Sequence, residues 1–239
     1  MSSAKGIYER LRPLIVWLGL TELGWLGYWL LSGGNNTPTF VGIVAAWIVA
    51  MLAWLVTAIY LGTQGFFLKH SERLSNLIGV AAVVTFGVAM FGLIPAAREG
   101  LLSAARNTSD LQLIYIHILR LLAIGTVIKF IHGELPLHFL ILGSIPDFLF
   151  AVSAVVVAVL GANGPLAHGF LVAWHWIGFS IFTGAGVSMF FSVPSPLRIY
   201  HNKPDASIVF QFPMLLAPNF TVPLFMLAHA FALVRLLTS

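Results

Sequence analysis

The sequence has little charge and no cysteine. Of its 239 residues only 8% are Asp, Glu, Lys or Arg, whereas 59% are hydrophobic. An ordinary soluble domain carries about 25% charged residues, so this chain has too few of them to cover a water-facing surface. The composition therefore excludes a soluble enzyme and a disordered protein. The lack of cysteine excludes disulfide bonds, thiolate metal sites and iron–sulfur clusters.

Basic residues are also too scattered to form a nucleic-acid surface. The net charge of +4 comes from 12 Lys and Arg residues, which stand singly, mostly at the ends of apolar runs. Single basic residues in such places are typical of topology signals, because Lys and Arg stay on the cytoplasmic side of a membrane. We therefore expect the protein to lie in a lipid bilayer and to bind no nucleic acid.

What the sequence does have is long apolar runs. They predict an all-α integral membrane bundle of seven transmembrane helices, which makes residues 1–239 a single domain. The predicted spans are about 11–31, 40–62, 77–96, 111–131, 138–160, 167–191 and 211–236. Runs of about 20 residues have the length that a helix needs to cross a bilayer. We expect a multi-pass protein of the cell (inner or plasma) membrane.

The distribution of Lys and Arg residues predicts the orientation of the bundle. With the N-terminus in the cytoplasm, the inner side holds Lys5, Arg10, Arg12, Lys69, Arg73, Lys129, Arg198 and Lys203. The outer side then holds only Arg98, Arg106 and Arg235. An excess of bases on the cytoplasmic side is the rule, so we predict a cytoplasmic N-terminus and an external C-terminus.

Ionisable side chains inside the spans are the candidate functional residues. At mid-membrane each costs at least about 2.5–3.5 kcal/mol, so it faces the bundle interior and needs a partner. The candidate ligand-binding residues are Glu22, His117, Arg120, Asp147, His175 and His229. We predict that His117, Arg120, Asp147 and His229 share one polar pocket in the outer half of the membrane. Arg120 should contact Asp147, either as an ion pair that fixes two helices or as part of a binding site.

Prolines interrupt two of the spans beside these residues. Pro213, Pro218 and Pro223 recur every five residues in the last span, and Pro146 precedes Asp147. A proline inside a helix removes a backbone hydrogen bond, so the freed carbonyls need other partners in the membrane. We expect kinked backbone there, with the kink around Pro218 and Pro223 forming part of the pocket wall.

Two familiar chemistries of membrane bundles do not fit. A retinal pump needs a lysine in the middle of the last helix, which this chain lacks. The chain also has no pair of histidines four or five residues apart on one helix, as zinc-dependent intramembrane hydrolases require. We predict no metal site. A bis-histidine haem b remains an alternative cofactor, held by two of His117, His175 and His229.

The second half of the chain carries a set of short motifs. They are His117–Ile118–Leu119–Arg120, Gly133–Glu134–Leu135–Pro136 followed by Phe139 and Asp147, Trp174 with Gly178, and Pro213, Pro218, Phe220, Val222, Pro223 and His229. From about residue 110 onward the chain resembles a bacterial family of small multispanning membrane proteins without an established function. The resemblance implies a bundle of about seven helices. The chain departs from the family's pattern at 142–146 and at His175, where an asparagine is usual.

Three functions remain open from the sequence. The first is an outward-facing polar site that binds or transports a small ligand or a proton-coupled solute, with Arg120 and Asp147 as its charged groups. The second is a membrane oxidoreductase or electron-transfer subunit with haem b. The third is a non-catalytic subunit or assembly factor that meets itself or a membrane-complex partner through its helix faces. The residues do not decide whether the protein is an enzyme.

Overall fold

The chain is a bundle of helices whose large apolar side chains face outward as well as inward. The computed structural model describes residues 2–70 and 75–238, with the side chains of 13–70 and 82–238. No strand occurs in those ranges. Val49, Val56 and Tyr60 are 65%, 66% and 63% exposed. Apolar exposure on this scale is unusual for a soluble protein and marks a surface that meets another apolar phase.

The described part of the chain forms nine helices and, between the last two of them, a short 3₁₀ helix at Ala206–Phe210. The nine helices are α1 (Ser2–Gly33), α2 (Pro38–Thr63), α3 (Phe66–Lys69), α4 (Ser75–Leu93), α5 (Pro95–Asn107), α6 (Asp110–Ile131), α7 (Leu137–Asn163), α8 (His168–Phe190) and α9 (Ala217–Thr238). Six of these, α1, α2, α6, α7, α8 and α9, are long and apolar enough to cross a membrane, and α4 with α5 adds a seventh if the bent pair is one span. The predicted all-α, multispanning architecture is confirmed at that level.

The third predicted span ends earlier than expected, and a helix follows it instead of a loop. The span was predicted to reach residue 96, but α4 ends at Leu93 and α5 begins at Pro95 with its axis turned by 97°. Ile94 between them is extended, with φ −88° and ψ 114°. A residue before proline is pushed out of the helical region, and proline suits the first turn of a new helix. The bend therefore follows from Pro95.

Helix α5 is fastened to the end of α1. Its buried positions are small, including Ala97, Gly100 and Ala104, and they let the helix lie close to its neighbours. The side chains of Ser103 and Asn107 both donate to the carbonyl of Gly33, at 3.1 and 2.8 Å. These bonds satisfy a helix-end carbonyl that has no partner within its own helix.

The seventh predicted span begins later than expected. It was predicted from residue 211, but α9 begins at Ala217. Residues 191–216 form a folded connector whose Val193, Phe210 and Leu215 are buried. A Cβ on Gly62 of α2 would lie less than 3.0 Å from the Leu215 side chain, so the connector packs tightly against one end of α2. Pro213 in this stretch lacks the N–H that a regular helix would use.

Three of the spans depart from α-helical geometry near the candidate residues. A 3₁₀ segment occupies Ile116–Ala123 in α6, and π turns occupy Leu140–Ser144 in α7 and Ala217–Thr221 in α9. Pro223 offers no N–H to the carbonyl of Asn219, and the indole N–H of Trp54 donates to that carbonyl at 2.8 Å instead. The prolines thus stand beside interruptions of the α-helical hydrogen-bond pattern, and a side chain of α2 satisfies the freed carbonyl.

Described contacts show which helix ends share a side of the bundle. The Gly33–Asn107 bond joins the ends of α1 and α5, and an ion pair between Arg235 and Asp110 joins the end of α9 to the start of α6. The predicted orientation rests partly on Lys5, Arg10, Arg12 and Arg73, which lie outside the described side chains. We call the side that holds Asp110 the Asp110 side and the opposite one the Leu137 side.

Candidate functional site

The candidate residues lie at the middle of the bundle. Counted at 1.5 Å per residue, Glu22, Arg120 and His229 are all within about 3 Å of the centres of their spans. These spans are Pro13–Gly33, Asp110–Ile131 and Ala217–Thr238. That the pocket lies in the outer half of the membrane stays a prediction.

An ion pair between α6 and α7 forms the centre of the cluster. The Nε of Arg120 donates to Oδ1 of Asp147 at 2.6 Å, so the predicted direct contact is confirmed. Arg120 is buried, and the side chain of Asp147 keeps 23% exposure. In a 3₁₀ helix, residues three apart eclipse one another. The 3₁₀ segment of α6 therefore directs His117 and Arg120 to the same interior face.

Three phenylalanine rings surround the guanidinium. The Cζ of Arg120 lies 4.3 Å from the ring centroid of Phe150, 4.2 Å from that of Phe182 and 5.9 Å from that of Phe225. Aromatic faces attract a cation, more strongly where water is absent. The sequence did not single these rings out. Their spacing was a usable signal, because Phe150 and Phe225 stand three or four residues from Asp147 and His229.

A chain of hydrogen bonds continues from Arg120 into two histidines. The Nη1 of Arg120 donates to Nε2 of His229 at 3.0 Å, and Nδ1 of His229 lies 3.1 Å from Nδ1 of His175. Arginine has donors only, so Nε2 of His229 is the acceptor. The neutral ring then carries its hydrogen on Nδ1 and donates it to His175, whose own hydrogen is on Nε2. Arg120 thus sets the tautomers of both histidines.

The glycine at position 178 leaves space for the ring of His229 in this row of hydrogen bonds. A Cβ on Gly178 would lie less than 3.0 Å from the rings of both His229 and Phe150. Since glycine has no side chain, α8 can approach α7 and α9 closely at this point. Gly178 is one of the residues that carry the family resemblance, and these distances explain why a side chain at this position would not fit.

Several buried polar atoms of the cluster have no hydrogen-bond partner among the described residues. They are both ring nitrogens of His117, Nη2 of Arg120 and both carboxylate oxygens of Glu22. His117 stacks on His229, with ring centroids 3.9 Å apart and planes 14° apart. Glu22 is fully buried and lies within electrostatic range of Arg120 and Asp147. Buried polar groups are nearly always hydrogen-bonded, so this concentration makes the cluster the candidate site.

The histidines are close enough together for a metal ion, but their surroundings do not favour one. One nitrogen each from His117, His175 and His229 lies within 4.8 Å of the others. The positive charge of Arg120 is in direct contact with His229 and holds the hydrogen of that ring on the nitrogen facing His175. The rings of His117 and His229 are stacked on one another, with centroids 3.9 Å apart.

The expected wall of the site is only partly as predicted. The π turn of α9 packs against α1, α4 and Trp54 of α2, and α9 meets the cluster farther on, at Phe225 and His229. Two hollows on the surface, beside Glu99 and Arg106 and beside Gly62 and Gln211, lie away from the cluster. The structure thus joins five candidate residues by contact and brings Glu22 within electrostatic range.

Comparison with known proteins identifies a family. A family model described as "Domain of unknown function (DUF8737)" matches residues 74–237, which is well over half of the chain. The match begins at α4 and therefore extends beyond the region from residue 110 that carried the resemblance. No curated protein and no solved structure matches the chain.

Proposed function

Since the chain belongs to the DUF8737 family, whose description assigns no activity, we propose from its own side chains that it is a proton-coupled membrane protein. The protein would let a proton cross by way of the central cluster, slowly by itself and faster together with a small solute that moves with it. We propose seven spans in the cell membrane, with α4 as the third. The N-terminus would be cytoplasmic and the C-terminus external.

One observation carries the proposal: Asp147, Arg120, His229 and His175 form a continuous row of contacts, and the two ends of the row stand at different depths along their spans. By its position in α7, Asp147 lies about 4.5 Å from the middle toward the Leu137 side, and His175 lies about 6 Å toward the Asp110 side. Rows of carboxylates and histidines at this depth are typical of proton pathways in pumps and transporters. In the proposed orientation the histidine end faces outward.

The packing favours a proton over a bulkier ligand at the centre itself. Aromatic rings fill the space around Arg120 and His117, and a proton needs no cavity. The part of the cluster that the surface reaches is Asp147, whose side chain is 23% exposed. A solute coupled to the proton would therefore meet the cluster at Asp147, where it would compete with that carboxylate for Arg120.

Proton flux into liposomes tests the function. The purified chain is reconstituted with a pH-sensitive dye inside, and a potassium diffusion potential, negative inside, is imposed with valinomycin. We expect the wild-type lumen to acidify faster than empty liposomes, and Arg120→Gln to lose this excess. His201→Gln is the matched control, because His201 is exposed in the connector and its loss should leave the rate unchanged. Equal rates for the wild type and Arg120→Gln would contradict the proposal.

A further inference from the structure

We infer that Glu22 is the residue that holds the proton of the central cluster, as a neutral carboxylic acid in the resting protein. The inference deepens the proposed function and rests on it, since it names the proton-carrying group. It is argued from the placement of Glu22 in α1, opposite the ion pair between α6 and α7.

The charges of the cluster do not balance without one proton. The cluster contains one guanidinium, two carboxylates and three histidines, and all six side chains are buried or nearly so. Because arginine only donates, His229 and His175 are held as neutral tautomers. His117 is stacked on His229 and has no acceptor for a ring N–H among the described residues, so a second positive charge has no support there and His117 is neutral as well. With both carboxylates ionised, the cluster would carry an uncompensated negative charge in the middle of the membrane, which is strongly unfavourable.

Of the two acids, Glu22 is the one without support for a negative charge. Asp147 receives a charged hydrogen bond from Arg120 at 2.6 Å and keeps partial exposure. Both oxygens of Glu22 are buried without a hydrogen-bond partner among the described residues. An ionised carboxylate needs several hydrogen bonds, whereas a protonated one needs fewer. The excess proton therefore belongs on Glu22.

The elements packed against α1 bring no other counter-charge to Glu22. Helices α2 and α4 contain no Asp, Glu, Lys, Arg or His, and neither does the π turn of α9. Helix α5 carries Arg98, Glu99 and Arg106 at exposed positions. Helices α6 and α9 contribute His117, Arg120 and His229, which belong to the cluster itself. Arg120 is thus the one fixed positive charge that faces Glu22 from its described neighbours.

This placement links proton release to movement of Arg120. When Glu22 loses its proton, two carboxylates compete for one guanidinium. The Nη2 of Arg120 has no partner among the described residues and offers Glu22 a donor. Deprotonation would therefore draw Arg120 toward α1 and loosen its hold on Asp147, the group that a solute reaches.

Infrared spectroscopy of the full chain in lipid nanodiscs tests the assignment without a mutation. At neutral pH we expect a carbonyl stretching band from a protonated carboxylic acid. The band should shift when the glutamate side-chain carboxyls are labelled with ¹³C and should stay in place when those of aspartate are labelled. Absence of the band, or a shift with the aspartate label alone, would overturn the inference.

Variants identify the particular glutamate. Glu22→Gln should remove the band, and Glu99→Gln is the matched control, since Glu99 is exposed on α5 and its loss should leave the band intact. Arg120→Gln should raise the band to about twice its area, because the second carboxylate then also needs a proton. A glutamate band that persists in Glu22→Gln would overturn the inference. Proton flux without the band would refute only the assignment to Glu22, whereas a band without flux would refute the proposed coupling.

Discussion

At the scale of single residues, the dominant energetic feature is one buried cation that is paired with one acid and lies within electrostatic range of a second. Arg120 is 2% exposed and Glu22 is 0% exposed, so neither is stabilised by water. Removing one partner of a buried ion pair leaves an unpaired charge, which typically costs about 3–5 kcal/mol. The second acid changes this expectation, because it can take over when the first is lost.

A double-mutant cycle tests the sharing. Asp147→Asn alone should destabilise the protein by less than about 3 kcal/mol, because Glu22 can ionise and pair with Arg120. Glu22→Gln alone should also be mild, since it replaces a neutral acid. The double variant leaves Arg120 without a carboxylate and should lose more than the sum of the two single changes. The free energy of unfolding in detergent, measured by denaturant titration, gives all three values.

A distant carboxylate supplies the control for this cycle. Glu99→Gln combined with Asp147→Asn should be additive, because Glu99 lies on α5 outside the cluster and separate sites add. Strict additivity of the Glu22 and Asp147 changes would show that Glu22 does not share the guanidinium.

Much of the cluster could be predicted from residue types alone. A charge in hydrocarbon must find a partner, and this rule was enough to pair Arg120 with Asp147 and to turn the histidines inward. The phenylalanines around Arg120 could not be separated by type from those that face lipid. The tautomers of His175 and His229 also required the contact between Arg120, which only donates, and Nε2 of His229.

At the scale of elements, the close approach of α8 to its neighbours depends on one missing side chain. A methyl group at position 178 would collide with His229 and Phe150, so the histidine would have to leave its hydrogen bonds or α8 would have to move outward. Overpacking of this kind typically costs about 1–3 kcal/mol.

Two alanine substitutions on the same helix separate this effect from helix propensity. Gly178→Ala should lower the thermal unfolding temperature and the proton flux together. Gly186→Ala should leave the flux unchanged and stabilise the helix slightly, by about 0.5–1 kcal/mol, because a Cβ at that position meets nothing within 4 Å. If Gly178→Ala behaved like Gly186→Ala, His229 would not depend on the close approach.

The apolar runs of the sequence predicted which long helices exist, but they did not predict where those helices begin and end. Helix α5 escaped prediction because its sequence mixes Arg98, Glu99 and Arg106 with small residues and therefore has no long apolar run. The start of α9 was predicted too early because Val209, Phe210 and Leu215 are as apolar as the residues of a membrane span. They are buried in a folded connector instead. Apolar composition reports burial in either lipid or protein and does not distinguish between them.

At the scale of the whole molecule, the lack of cysteine makes the proposed orientation directly measurable. Single cysteines placed at Arg106 and Lys203, both exposed, can be labelled with a membrane-impermeant maleimide on intact cells. We expect Arg106→Cys to react at once and Lys203→Cys to react only after permeabilisation. The reverse pattern of labelling would show that the bundle has the opposite orientation in the membrane. The cysteine-free parent chain supplies the background signal.

In the proposed function, the difference in depth between the two ends of the hydrogen-bonded row has an electrical consequence. Counted along their helices, Asp147 and His175 differ in depth by about 10 Å, which is about a third of a hydrocarbon core of about 30 Å. One elementary charge crossing the full membrane changes energy by about 2.3 kcal/mol per 100 mV. A proton bound at one end of the row rather than at the other would therefore differ in energy by about 0.8 kcal/mol at that voltage. The resting potential of the cell would thus change the equilibrium between the two ends of the row about fourfold.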